Sequence, residues 1–204
     1  MLLWLALVAI VLLGDRPLYE LYGRWIGGII PLDWVAQFLT NVVVVKWIAL
    51  GAVVLVLADR RLRWWFLADV GLVMLAQATA VDIIKRLFGR VRPETAGHLT
   101  IFQGPDFSRG GFCFPSGHAA AAFALAALLG AWYPRWRWAF IVAAVCVCLA
   151  RVQLQRHFFA DVLFGAFVGW YLAGALLTWR RGRTRPTEQP EPLGEAELPA
   201  PHGA

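Results

Sequence analysis

Between residues 37 and 58 the sequence offers a single ionisable side chain, Lys46. A stretch this long and apolar matches the ~20 residues that a helix needs to cross the hydrocarbon core of a bilayer. Similar stretches cover residues 64–84, 117–133 and 161–179. A shorter one covers residues 138–150 and extends through Val152. Residues 2–14 are apolar but short for a span; with no basic segment before them and no small-residue cleavage site after, they read as a retained first helix, not a cleaved signal. Residues 15–34 mix charges with Tyr, Trp, Gly and Pro and suit an interfacial segment with aromatic anchors. The expectation is an all-α polytopic membrane protein, with six transmembrane helices in one bundle over residues 1–180. From Thr184 the chain is rich in Pro and Glu without apolar periodicity, so residues 181–204 are expected to be a disordered cytoplasmic tail. Hydrophobic residues make up 60% of the chain and charged ones 16%. Soluble domains have about 45–50% and about 25%, so the apolar runs call for lipid as well as a protein core.

The charge pattern orients this bundle. The net charge is +6, and all but two of the 19 basic residues are arginine. Arginine clusters at residues 60–63, 135–137 and 180–185 fall between or after spans, on one side if there are six. By the positive-inside rule that side is the cytoplasm, with both termini on it. This topology explains the basicity better than a nucleic-acid partner, so none is expected. One segment breaks the rule. Residues 86–116 belong on the outer side, yet carry Arg86, Arg90, Arg92 and Arg109. An anionic ligand at that face is a reason for them. The three cysteines make no disulfide framework or metal-ligand pattern. Cys146 and Cys148 read as packing residues, and Cys113 sits in a polar loop.

Three polar clusters stand out. The first runs from Lys85 to Arg92-Pro93. The second is Pro115-Ser116-Gly117-His118. The third is Arg151, His157 and Asp161. With alternating spans, all three lie at helix ends on the outer face. Each residue type suits phosphate chemistry. A phosphate monoester carries nearly two negative charges, and Lys85, Arg92 and Arg151 offer three cations. Ser116 and Gly117 precede a helix, where backbone N–H groups and the helix dipole bind anions. His157 and Asp161 are four residues apart, so the carboxylate could fix the imidazole tautomer and leave the other nitrogen free to attack. His118 could then act as general acid. Taken singly, Lys85 and Arg92 also fit snorkelling anchors, His118 a helix-start histidine and Asp161 an N-cap. Their joint occurrence at one face favours a site.

With these residues the chain resembles the type-2 phosphatidic acid phosphatase superfamily, which also holds vanadium haloperoxidases and bacterial acid phosphatases. The signature there is Lys-x6-Arg-Pro, then Pro-Ser-Gly-His, then Ser-Arg-x5-His-x3-Asp. Only the Ser that opens its third part is missing here, replaced by Ala150. The resemblance implies that His157 attacks phosphorus and becomes phosphohistidine, positioned by Asp161. It implies that His118 protonates the leaving oxygen and then activates water. Lys85, Arg92, Ser116, Gly117 and Arg151 would hold the phosphate oxygens, with no metal and no cofactor. The implied activity is hydrolysis of a lipid phosphomonoester or pyrophosphate at the periplasmic face of a bacterial inner membrane. Undecaprenyl pyrophosphate, phosphatidylglycerol phosphate and lipid A phosphates all fit such a site, with membrane lipids as surroundings. Residues 97–113 should shape the headgroup pocket, and Gly97-x-x-Thr100-x-Phe102-x-Gly104 loosely resembles lipid A phosphatases of the family. Two alternatives stay open: a lipid phosphotransferase using the same phosphohistidine, and a non-enzymatic membrane protein with a relic site. A haloperoxidase role does not suit a lipid-embedded chain. Among other polar residues, Asp82 is placed to pair with Lys85. Asp69 and Lys46 are expected near opposite interfaces.

Overall fold

A computed structural model of the chain describes residues 2–26, 29–40, 65–96, 101–107 and 110–183. Among these residues the chain is all-helical, without a strand. Seven α-helices follow in order: α1 (Leu2–Trp25), α2 (Ile30–Thr40), α3 (Trp65–Phe88), the short α4 (Pro93–Ala96), α5 (Gly117–Trp132), α6 (Arg137–Gln153) and α7 (Phe159–Arg183). A 3-10 turn, Pro134–Trp136, joins α5 to α6. The expected span over residues 37–58 lies outside the described residues beyond Thr40, as do Arg109, the arginines at 60–63 and the tail from Thr184.

Three helical stretches among the described residues are long and apolar enough to cross a membrane: Trp65–Phe88, Pro134–Gln153 and Phe159–Gly182. Helix α5 is apolar but only 16 residues long, about 24 Å at the usual rise. Helix α1 departs from the expected short helix and interfacial segment. It continues unbroken through Asp15, Arg16 and Pro17 to Trp25. The charges are tolerated because each has a partner. Arg16 pairs with Glu20 one turn on, at 2.9 Å, and Asp15 is fully buried against an arginine at 2.7 Å. Of the aromatic residues expected at an interface, Trp25 at its end is exposed, whereas Tyr19 is buried in the core.

The Ala-rich α5 is the hub. It packs against α3, α6 and α7, while α1 packs on α7 and α2 on α6. Helix α7 comes so close to α5 that only glycine fits at the crossing. A Cβ on Gly165 would lie 2.3 Å from the Ser116 carbonyl oxygen, and one on Gly169 would lie 1.9 Å from that of Ala120. This is small-residue packing at a four-residue interval, suited to membrane helices that gain little from apolar burial against lipid. Further from the site, Phe66 and Val73 of α3, Ala124 and Leu128 of α5, and Ala173 and Leu176 of α7 interlock. Many large apolar side chains on the outside, such as Leu13, Leu75, Val142 and Tyr171, remain exposed, as lipid-facing surface should.

Helix polarity brings the three clusters to one end. Helices α3 and α6 finish there, and α5 and α7 start there. Gly89, with φ of +57°, ends α3: its N–H donates to the Lys85 carbonyl (2.8 Å), the usual glycine stop. The opposite end carries the Pro134–Trp136 turn and Arg180. There Arg180 pairs with the buried Asp69 and lies 5.0 Å from the Trp65 ring. Asp82 pairs with Arg86 at 2.8 Å, not with Lys85. The i+4 spacing is better placed than i+3 for this pair, and it leaves Lys85 to turn inward.

Candidate active site

Each expected site residue sits at a helix end or just beyond one. Lys85 is in the last turn of α3, and Arg92 follows in the connection to α4. Ser116 caps α5, its hydroxyl accepting from the Ala119 N–H at 3.4 Å. Gly117 and His118 open the first turn. Arg151 is in the last turn of α6. Beyond it Gln155 takes a left-handed φ of 54°, turning the chain so that His157 is delivered to α7. Asp161 is in the first turn of α7, and its carbonyl accepts from the Ser116 N–H at 2.9 Å. That bond ties the starts of α5 and α7 together. Electrostatically the groups form one cluster. His118 feels Arg151, His157, Lys85 and Arg92, and His157 feels Asp161, Arg151 and Lys85. Ala150, where the signature has Ser, is buried at 4% exposure.

The imidazole of His157 is almost fully buried. Its Nδ1 faces Asp161 Oδ2 at 3.5 Å, longer than an ordinary hydrogen bond, and has no closer partner among the described residues. The contact leaves Nε2 as the nitrogen turned away from the carboxylate. Burial pulls the His157 pKa below its ordinary value, outweighing the opposing pull of Asp161. Burial therefore favours the neutral ring. Lys85 is half-buried without an ion pair among the described residues. Arg151 Nε is buried and has no hydrogen-bond partner there. Each of the two feels the positive charge of Arg92, and an anion among these cations would relieve their repulsion.

Asp161 has a second set of partners that sequence reasoning did not assign. Its Oδ2 accepts from the Phe158 N–H at 2.9 Å, and its Oδ1 accepts from Arg90 Nη1 at 2.6 Å. The other end of that guanidinium, Nη2, donates to Asp15 Oδ2 at 2.7 Å. Asp15 Oδ1 in turn accepts from the Ala160 N–H at 2.9 Å. All three charged side chains are 0% exposed. Arg90 was visible as one of the basic residues on the unexpected side. Asp15 was visible as an acidic residue beside an apolar run, a signal of function in membrane helices. Neither belongs to a local motif that joins them.

Arg92 faces a cleft. Its Nε donates to the Gly111 carbonyl at 2.8 Å, and Glu94 stands 3.7 Å from its Nη1. Glu94 also accepts from Arg156 at 2.7 Å, bridging α4 to the turn before His157. The cleft, about 420 Å³, is lined by Arg92, Glu94, Thr95, Gln103, Gly111 and Phe112 among others. It lies where the headgroup pocket was expected, as far as residues 97–113 are described. Cys113 is fully buried, its Sγ donating to the Val91 carbonyl at 3.2 Å. Burial pushes its thiol pKa up, and all three cysteines are free.

A profile of the PAP2 superfamily matches residues 66–185, more than half of the chain. The chain belongs to the PAP2 superfamily. Two lipid A 1-phosphatases share its sequence in part. That of Rhizobium etli is 37% identical over 93 residues, which cover 44% of this chain and 40% of the relative. That of Rhizobium johnstonii is 36% identical over 93 residues, covering 44% and 38%. The matched segment thus spans about two fifths of the length of each curated relative. The crystal structure of a transmembrane PAP2 type phosphatidylglycerolphosphate phosphatase from Bacillus subtilis superimposes with a TM-score of 0.60. It covers 90% of this chain and 94% of that one at 20% identity, so the two share a fold. The chain, all-helical among the described residues, is a membrane protein of this PAP2 fold. All eight expected site residues lie inside the PAP2 match, as does Arg90; Asp15 lies outside it.

Proposed function

We propose that this chain is an integral membrane phosphatase that hydrolyses a lipid phosphomonoester or pyrophosphate through a phosphohistidine. The observation that carries the reading is the meeting of Lys85, Arg92, Arg151, His118 and His157 at one end of the bundle, with Asp161 behind His157. PAP2 membership and the lipid A 1-phosphatase relatives support the activity class.

In the proposed reaction His157 Nε2 attacks phosphorus in line, and the bond from phosphorus to the lipid oxygen breaks. His118 gives its proton to that oxygen. The ring of His157 becomes cationic on phosphorylation, and Asp161 balances it through Nδ1–H. His118, now neutral, takes a proton from water, whose oxygen attacks phosphorus. Inorganic phosphate leaves and His157 is regenerated. Lys85, Arg92, Arg151, the Ser116 hydroxyl and the Gly117 N–H hold the equatorial oxygens, where charge accumulates. No metal is assigned a role in this scheme.

Six spans fit this function. The site then lies at the periplasmic interface, with both termini and the basic Pro134–Trp136 and Arg180 end in the cytoplasm. A lipid headgroup sits at that depth. Exposed Phe88, Phe102 and Phe107 beside the site suit an amphiphile. Among candidate substrates, the relatives favour a phosphate of lipid A; phosphatidylglycerol phosphate and undecaprenyl pyrophosphate share the same reacting group.

The test is phosphate release from purified lipid A, phosphatidylglycerol phosphate, phosphatidic acid and undecaprenyl pyrophosphate, in excess chelator. Wild type should turn over at least one lipid, and His157→Ala should lose at least about a thousandfold in rate. Equal turnover by the two proteins would refute the role of His157. Phosphorylated acceptor lipid without free phosphate would assign a transferase instead.

A further inference from the structure

The buried side chains behind Asp161 bear on the same reaction. We infer that Arg90 and Asp15 are positioning residues, which set the orientation and net charge of the carboxylate that holds His157. The inference rests on the reading of His157 as the nucleophile.

Orientation comes first. Asp161 divides its oxygens: Oδ1 is taken by Arg90 at 2.6 Å, so Oδ2 is the one left toward His157 Nδ1. Arg90 itself has little freedom. Its guanidinium lies 4.2 Å from the Phe158 ring centroid and 5.1 Å from that of Phe102. Its second nitrogen is anchored on Asp15. Asp15 is fixed in turn by the Ala160 N–H, in the first turn of the helix that carries Asp161. A change at Asp15 therefore reaches Asp161 through two short hydrogen bonds, and His157 through Asp161.

Charge comes second. Arg90 alone would neutralise Asp161, and a neutral pair supports a cationic ring weakly. Two carboxylates sharing one guanidinium leave one net negative charge behind the imidazole. That charge is needed when phosphorylation makes the ring a cation. The remaining groups facing His157 are Arg151 from α6, Lys85 from α3 and His118 from α5; the two cations work against a cationic ring. Asp15, through Arg90, offsets them. Helix adhesion alone would not require this arrangement. An ion triad is a costly way to join helices, and adhesion gives no reason for one of its acids to contact the imidazole.

The experiment compares full-length wild type, His157→Ala, Asp15→Asn and Arg90→Lys in detergent. The probe is lipid A or phosphatidic acid in mixed micelles, whichever wild type turns over faster. Only monodisperse protein is assayed. Asp15→Asn keeps shape but removes a charge. It should lower kcat by about tenfold, as loss of an outer partner of a functional histidine does, with KM within about twofold. Its acid limb in kcat/KM should move to lower pH, because less negative charge disfavours the protonated ring of His157. Arg90→Lys keeps the charge but loses the fork. It should lower kcat by a similar factor while leaving the acid limb in place. If Asp15→Asn is monodisperse with wild-type kcat, or loses activity without moving the acid limb, the inference is overturned. If Asp15→Asn is not recovered folded, Arg90→Lys decides, and wild-type kcat there overturns it. Wild-type turnover by His157→Ala removes the underlying reading as well. An inactive His157→Ala beside an unaffected Asp15→Asn removes the inference alone.

Discussion

At the residue scale, the proposed nucleophile His157 is an imidazole almost without solvent. Burial disfavours the imidazolium, so the pKa of His157 falls from its ordinary value of about 6.5. In the proposed reaction the attacking nitrogen must be unprotonated, so activity should rise as pH climbs through that pKa. The acid limb of kcat/KM, corrected for the substrate's own ionisation, should therefore lie below pH ~6.5. A limb above that value would mean that Asp161 outweighs burial. The local letters made much of this legible. Lys85, Arg92, Ser116, His118, Arg151, His157 and Asp161 were named from spacing and residue type, and the fold gathers them. The ion chain behind them was not legible. Arg90 and Asp15 are 75 positions apart, and only the docking of α1 on α7 makes them neighbours. Spacing arguments work within a helix or a loop and fail across such a distance.

At the scale of elements, the crossing of α5 and α7 sets the geometry. Ser116 and Asp161 are joined by one backbone bond there, and Gly165 and Gly169 let the helices touch. Gly169→Ala would put a methyl into the Ala120 carbonyl. It should destabilise the protein by about 1–3 kcal/mol and lower activity further by parting the helix starts. Gly174→Ala has open space around the new methyl and should be silent. Thermal unfolding in detergent with parallel assays separates them; equal Tm values for both variants would show that the crossing is looser than described. Four of the predicted spans match described helices within a few residues, because apolar runs bounded by Arg, Pro or Gly mark their own ends. Helix α1 is longer than its apolar run implies. Asp15, Arg16 and Pro17 look like a terminus when their partners cannot be seen, yet here they lie within the helix.

At the scale of the whole molecule, the basic end and the site lie at opposite ends of the bundle. A cysteine at Phe107, in a background without the native cysteines, should react with an impermeant reagent added to intact cells. A cysteine at Arg135 should react only after permeabilisation. The reverse pattern would turn the protein over in the membrane and put the site in the cytoplasm. The contact from Asp15 to the Ala160 N–H has a consequence for assembly. The two residues are 145 positions apart, so the carboxylate leaves the ribosome long before its partner is made. If Asp15 plays the role inferred for it, catalytic competence arrives only when α7 meets α1, and a half-inserted chain would hold a stranded acid in the bilayer and a histidine without support.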